Sequence, residues 1–225
     1  MNLIATFSRS LLALTLLVII ACQPQDVPQP TASYFEGELL KNNSIDLLNS
    51  DNQPQDWDFT YIQDAKEIPY NFGVFQGEGN QALELWIEEG TDFPAVWSQT
   101  VAMPFLAVGS EFRLSADILS YATEGEGLTL SMEGWRTSHR ATGSGCGGNC
   151  GDPEREENTR IFHSSLTITP DMMIQDGAFH RFELTEAMEM QMRRADRIVV
   201  SLEMNRATKG LLHFDNISLE VVSAE

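Results

Sequence analysis

The sequence predicts an all-β chain, a two-sheet antiparallel β-sandwich with one short helix. Three observations predict it. Segments of strand length alternate apolar and polar residues along most of the chain. Gly, Pro, Asn or Asp punctuate the gaps, and only one segment carries a helical signal. The expected strands are 82–88, 95–101, 111–121, 127–135, 160–169, 179–184, 197–204 and 211–222. The helical segment is 185–195, where Glu186, Ala187, Met188, Met190, Gln191, Met192 and Arg193 are good helix formers. Its methionines are expected to fill gaps over the sandwich.

Both ends of the globular part resemble one family. The opening Asn42-Asn43-Ser44-Ile45-Asp46, the later Pro54-Gln55-Asp56-Trp57 and the closing Leu212-His213-Phe214-Asp215-Asn216-Ile217-Ser218-Leu219-Glu220-Val221 are similar to jelly-roll carbohydrate-binding modules of galactose-binding-like fold. Ile45 stands where the family has an aromatic residue and Asp46 where it has Glu. The resemblance implies a jelly roll, which eight strands suit, and binding of a poly- or oligosaccharide. It also implies a structural calcium ion where the first loop meets the last strand, at positions matched by Asp46 and Asp215. Calcium takes six to eight oxygens at roughly 2.3–2.6 Å. Trp57 matches the family's structural Trp. Ala95-Val96-Trp97-Ser98-Gln99-Thr100-Val101 resembles a ligand-contacting strand on which Trp97 and Gln99 share a face.

The N-terminus has a different character. Leu11 to Ile20 form an apolar run too short to span a bilayer, ending in Ile19-Ile20-Ala21-Cys22. Residues 1–21 read as a secretion signal, and the motif resembles the lipobox of bacterial lipoproteins, which implies acylation of Cys22. Such chains hold a protein at a membrane because each buried methylene contributes about 0.8 kcal/mol. Gln23 in place of Asp, by resemblance to lipoprotein sorting, implies the outer membrane of a bacterial envelope. Residues 22–37, rich in Pro and Gln, read as a tether, and 38–225 as one domain. The formal net charge of −19 argues against nucleic acid as a partner, since binding it depends on cations that neutralise phosphates.

Alternation sorts side chains by face. Leu128, Leu130 and Met132 point inward, leaving Thr129, Ser131, Glu133 and Trp135 outward. Phe112, Leu114, Ala116 and Ile118 point inward, leaving Arg113, Ser115, Asp117 and Tyr121. Ser201 and Glu203 oppose Ile198, Val200 and Leu202. A polar face on a sheet is ordinarily just solvated. Sugar recognition, however, needs an aromatic surface for C–H faces beside groups that hydrogen-bond hydroxyls. Trp135 with Arg113, Asp117 and Glu133 offers that combination, and Trp86, out of phase with Leu83, Leu85 and Ile87, is a second platform.

Cys146 and Cys150, in a Gly-rich loop, are expected to pair in an oxidising envelope. The alternative is a metal site drawing on His139, Cys146, Cys150 and His163. Glu133 and Asp117 are conceivable as a carboxylate pair of the kind glycosidases use. The chain has no nucleophile elbow, His-Glu-x-x-His, P-loop or dinucleotide fingerprint. The expectation is therefore a non-catalytic binder, with a structural or protein-binding envelope lipoprotein as the alternative.

Overall fold

A computed structural model describes residues 34–61, 71–77, 81–89, 94–107, 109–140 and 155–223. The first described unit residue, Tyr34, already belongs to the sandwich, which runs from Tyr34 onward as one compact unit. Tyr34 stacks on Phe105 at 5.2 Å between ring centroids, and the Phe35 amide donates to the Phe105 carbonyl. Cys22, Cys146 and Cys150 lie outside the described residues, and with them the lipid anchor and the disulfide. Among the described residues no helix is long and apolar enough to cross a membrane.

The fold is a sandwich of two antiparallel sheets, as the alternation predicts. Its strands are β1 (Gly37–Glu38), β2 (Asp58–Tyr61), β3 (Asn71–Gln76), β4 (Gln81–Ile87), β5 (Ala95–Ala102), β6 (Glu111–Glu124), β7 (Leu128–Arg140), β8 (Arg155–Ile168), β9 (His180–Ala187), β10 (Arg197–Met204) and β11 (Lys209–Val222). The first sheet orders β3-β4-β11-β6-β9, with β1 paired to β11; the second orders β2-β5-β10-β7-β8. Leu85, Phe214, Leu114 and their in-phase neighbours from the first sheet meet Trp97, Leu202, Leu130 and theirs from the second, all fully buried.

The expected helix is absent. β9 continues to Ala187 because its backbone pairs with β6 as far as Glu111, and a ladder already hydrogen-bonded overrides local helix propensity. Only a 3-10 turn, Met190–Arg194, follows. Met188 and Met192 are buried as expected, whereas Met190 is 76% exposed. β7 and β8 also pair out to Arg140 and Arg155, past the strand ends expected at 135 and 160.

β11 organises the first sheet. β6 lines one edge along nearly its whole length. The other edge is shared: β4 takes Gly210 to Phe214 and β1 takes Glu220 and Val221. The handover coincides with a bulge between Asp215 and Ser218. Asn216 sits there at φ 46°, a left-handed conformation that Asn tolerates better than most residues. The extra residue shifts the side-chain phase. Leu212 and Phe214 point inward before the bulge, and Ile217, Leu219 and Val221 point inward after it. The Asn216 side-chain amide donates to Asp117 Oδ2 at 3.0 Å, and its backbone N–H donates to Asp215 Oδ1 at 2.7 Å. The Ile217 N–H, with no strand beside it, donates to the Asn43 carbonyl at 2.9 Å.

Two substitutions test this framework. Asn216→Val should destabilise the domain by about 2 kcal/mol in chemical denaturation. Asn216→Gly should cost about 1 kcal/mol, the worth of the lost amide bonds. Equal losses would locate the cost in the amide instead of the backbone angle. At Gly134 an added Cβ would lie 2.0 Å from Phe162 Cε1, and Phe162 is itself packed against Phe112. Gly134→Ala should therefore cost about 1–3 kcal/mol, part of it relieved in the Gly134→Ala, Phe162→Leu double variant. Strict additivity would show that the methyl finds room.

Candidate functional site

The strand register lays out the outer surface of the second sheet. One transverse row runs Thr100, Val199, Glu133, His163 across β5, β10, β7 and β8. The next is Ser98, Ser201, Ser131, Ser165, with Asp58 of β2 at its edge. The third is Val96, Glu203, Thr129, Thr167. Adjacent strands lie about 4.8 Å apart, so the four serines form a closely spaced shelf of short hydroxyl side chains. Among the described residues none of these four hydroxyls has a hydrogen-bond partner.

Trp135 stands at one end of this surface, half-buried, with Arg197 on β10 directly beside it. β8 carries the extra residue Ile161 here, so that Trp135 faces Arg160. The indole is held in place. Its Nε1–H donates to Glu133 Oε2 at 3.0 Å. Glu133 Oε1 in turn accepts from Arg160 at 2.9 Å and lies 3.0 Å from His163 Nδ1. The Trp135 carbonyl accepts from the Asp196 N–H at 2.8 Å. Arg197 donates to Asn158 Oδ1 at 3.0 Å and to the Thr137 hydroxyl. The result is an aromatic ring held through Glu133 to Arg160 and His163 of β8, on the face that also carries the serine row.

Glu203 differs from Glu133 on this face. Half-buried between Val96 and Thr129, it accepts no hydrogen bond and joins no ion pair among the described residues. The Thr129 hydroxyl beside it donates instead to Asn205. Burial pushes the Glu203 carboxyl above the ordinary carboxylate range; Arg206 pulls it partly back and the charge on Glu133 raises it further.

The residues anticipated from sequence divide among three places. Trp135 and Glu133 share the second sheet's outer face. Arg113 and Asp117 are on β6, in the other sheet, where Asp117 pairs with Arg181 at 3.2 Å and Arg113 with Glu183 at 3.4 Å. They cannot act beside Trp135. Trp86 faces outward on that first sheet, 39% exposed. Trp97 and Gln99 are corrections of a different kind. Trp97, 1% exposed, lies in the core with its Nε1–H on the Glu84 carbonyl. Gln99, 2% exposed, is a structural clip whose amide both donates to the Lys41 carbonyl and accepts from the Lys41 N–H. Trp57 is buried as expected, its indole N–H on the Asn42 carbonyl.

The calcium expectation rests on Asp46 and Asp215. The first loop does meet the last strand, through Asn43 and Ile217. Asp46, however, is exposed and takes the Ser44 hydroxyl, whereas buried Asp215 holds both the backbone and side chain of Asn216. Among the described residues no three His, Cys, Asp or Glu side chains gather as a metal-binding group.

No family model matches the chain, and no curated protein matches it either. Solved structures show the fold. A cyclase from Fischerella sp. TAU, in complex with (3Z)-3-(1-methyl-2-pyrrolidinylidene)-3H-indole, is similar at TM-score 0.56 and 16% identity, covering 84% of this chain and 99% of its own. Carbohydrate-binding modules are also among the neighbours. The family 11 module from Clostridium thermocellum, in complex with a β-1,3-1,4-mixed-linked tetrasaccharide, is similar at TM-score 0.47 and 11% identity over 85% of this chain and 98% of that one. The enzymatically active domain of bacteriophage CBA120 tailspike protein 4 gives TM-score 0.46 and 12% identity over 82% of this chain, which spans only 21% of the tailspike chain. At 16% identity the likeness to the cyclase concerns the fold alone.

Glu203 should cost stability. Its carboxyl binds a proton more tightly folded than unfolded, so the folded state is favoured below the unfolded value. That advantage is lost as pH rises through the raised folded value. Glu203→Gln should therefore melt higher than the wild type at pH 7, with the gap closing on acidification. A constant gap across pH would place the effect outside the titration of Glu203.

Proposed function

We propose that this protein is a non-catalytic carbohydrate binder that takes a poly- or oligosaccharide chain across the outer face of its second sheet. The observation that carries the reading is Trp135, held through Glu133, Arg160 and His163 on the same face as a row of serine hydroxyls that have no hydrogen-bond partner among the described residues. A fixed indole covers the C–H face of a sugar at little entropic cost, and free hydroxyls exchange hydrogen bonds with those of the ligand. The binder reading is also supported by the separation of Glu133 and Asp117, which lie in different sheets. Catalytic carboxylates of glycosidases flank one bond from about 5 to 10 Å apart. Under this reading the acylated Cys22 tethers the domain to a bacterial envelope membrane, so that glycan is held near the cell.

A second reading, a protein-binding role, is favoured by one observation. On the outer face of the first sheet Trp86 and Tyr121, 39% and 64% exposed, flank Leu211 in a single transverse row, an apolar strip open to solvent. The two readings separate on a glycan array. Trp135→Ala should reduce binding at least tenfold, while the Trp86→Ala, Tyr121→Ala double variant should leave it unchanged. Glycan binding lost with the second variant alone would move the site to the other sheet. Absence of glycan binding by the wild type would favour the protein-binding role.

A further inference from the structure

We propose that Glu203 selects the ligand's charge class, accepting hydrogen bonds from adjacent hydroxyls of an uncharged glycan and turning away chains that carry carboxylates. This rests on the glycan-binding reading and concerns the same face. The argument begins from what Glu203 lacks. The carboxylates beside Trp135 are engaged: Glu133 holds Trp135, Arg160 and His163, and Asp196 holds the Thr137 N–H and Arg197. Glu203 has no such partner among the described residues, yet it is half-buried within the array.

Partially burying a carboxylate without hydrogen bonds is unfavourable, and such a group is rarely kept for stability. Its surroundings suggest what completes it. Val96 on one side offers no donor, Thr129 on the other is turned to Asn205, and Ser201 stands two residues along the same strand. The remaining charged or titratable groups on this side are Asp58 on β2, Glu133 on β7, Arg160 and His163 on β8, Arg197 at the far end of β10 and Arg206 in the turn after it; Arg160 is engaged by Glu133, and Arg197 by Asn158, Thr137 and Asp196. β5 supplies none to the three rows described. Only Arg206 exerts a resolved favourable charge effect on Glu203, and Glu133 opposes it.

A pair of sugar hydroxyls would supply the missing donors, since a carboxylate accepts two of them at once and charge-assisted bonds are the stronger kind. A uronate would instead set its own carboxylate against one that is already poorly compensated. Discrimination of this sort comes from repulsion as much as attraction.

The test is affinity electrophoresis of the full-length protein through gels holding mixed-linkage β-glucan, xylan or galactan as uncharged probes, and alginate or polygalacturonate as charged ones. The wild type should be retarded by at least one uncharged chain and by neither uronan. Glu203→Gln, which is expected to fold at least as stably, should bind that uncharged chain about tenfold more weakly, or roughly 1.4 kcal/mol, and should discriminate less against the uronans. Retardation abolished by Trp135→Ala but untouched by Glu203→Gln would overturn the role of Glu203 while the glycan-binding reading stands. Equal retention on uronans would overturn the charge selection with that reading again intact. No retention on any probe would overturn both.

Discussion

The bulge at Asp215, Asn216 and Ile217 is the constraint on which the first sheet depends. An antiparallel strand has two edges, and β11 must serve three partners with them. A change of partner along one edge leaves an amide with nothing opposite it, and a buried amide without an acceptor is costly. The chain resolves this by spending one extra residue in a left-handed conformation and aiming the freed Ile217 N–H at the Asn43 carbonyl. Glu38 completes the repair from β1. Its side chain accepts from the Leu219 N–H at 3.0 Å and from the Ser218 hydroxyl at 2.5 Å, so a carboxylate does the work of a missing stretch of ladder.

Much of this was legible in the sequence, though unevenly. Eight strands stood out because their apolar residues recur every second position. The Asp215-Asn216 step could be seen as an irregularity in the last strand. β3 was not visible, because Asn71-Phe72-Gly73-Val74-Phe75-Gln76 does not alternate cleanly: Phe75 points outward and stacks on His213 at 4.3 Å. β1, two residues long, carries no periodicity at all. Alternation also tells inside from outside but not which sheet a strand joins. β6 and β7 are consecutive yet belong to different sheets. Arg113 and Asp117 therefore looked like neighbours of Trp135 when they are not. At the turn between these strands Gly127 has φ 84°, and a Cβ there would meet the Ile168 carbonyl at 2.2 Å.

The candidate site was half legible for the same reason. Trp135 announced itself by falling outside the core phase of its strand. Glu203 did not, since a polar residue at an outward position of an antiparallel strand is the ordinary pattern. Its interest comes from what the neighbouring strands do around it, which is a property of register and not of local sequence. Trp97 and Gln99 show the converse. Sharing a face with each other is compatible with binding, but that face is the inner one, where Gln99 closes against Lys41.

The joining of β1 to β11 also places the two ends of the domain side by side. Glu36 takes the Ser223 hydroxyl, and Gly37 pairs with Val221. A chain whose ends meet can be reconnected through a short linker and opened elsewhere with little loss of structure. The second sheet contributes neither terminus, so its surface would survive such a rearrangement whole. The order in which the strands are threaded is thus separable from the face they present, and that face could be moved among scaffolds as a unit.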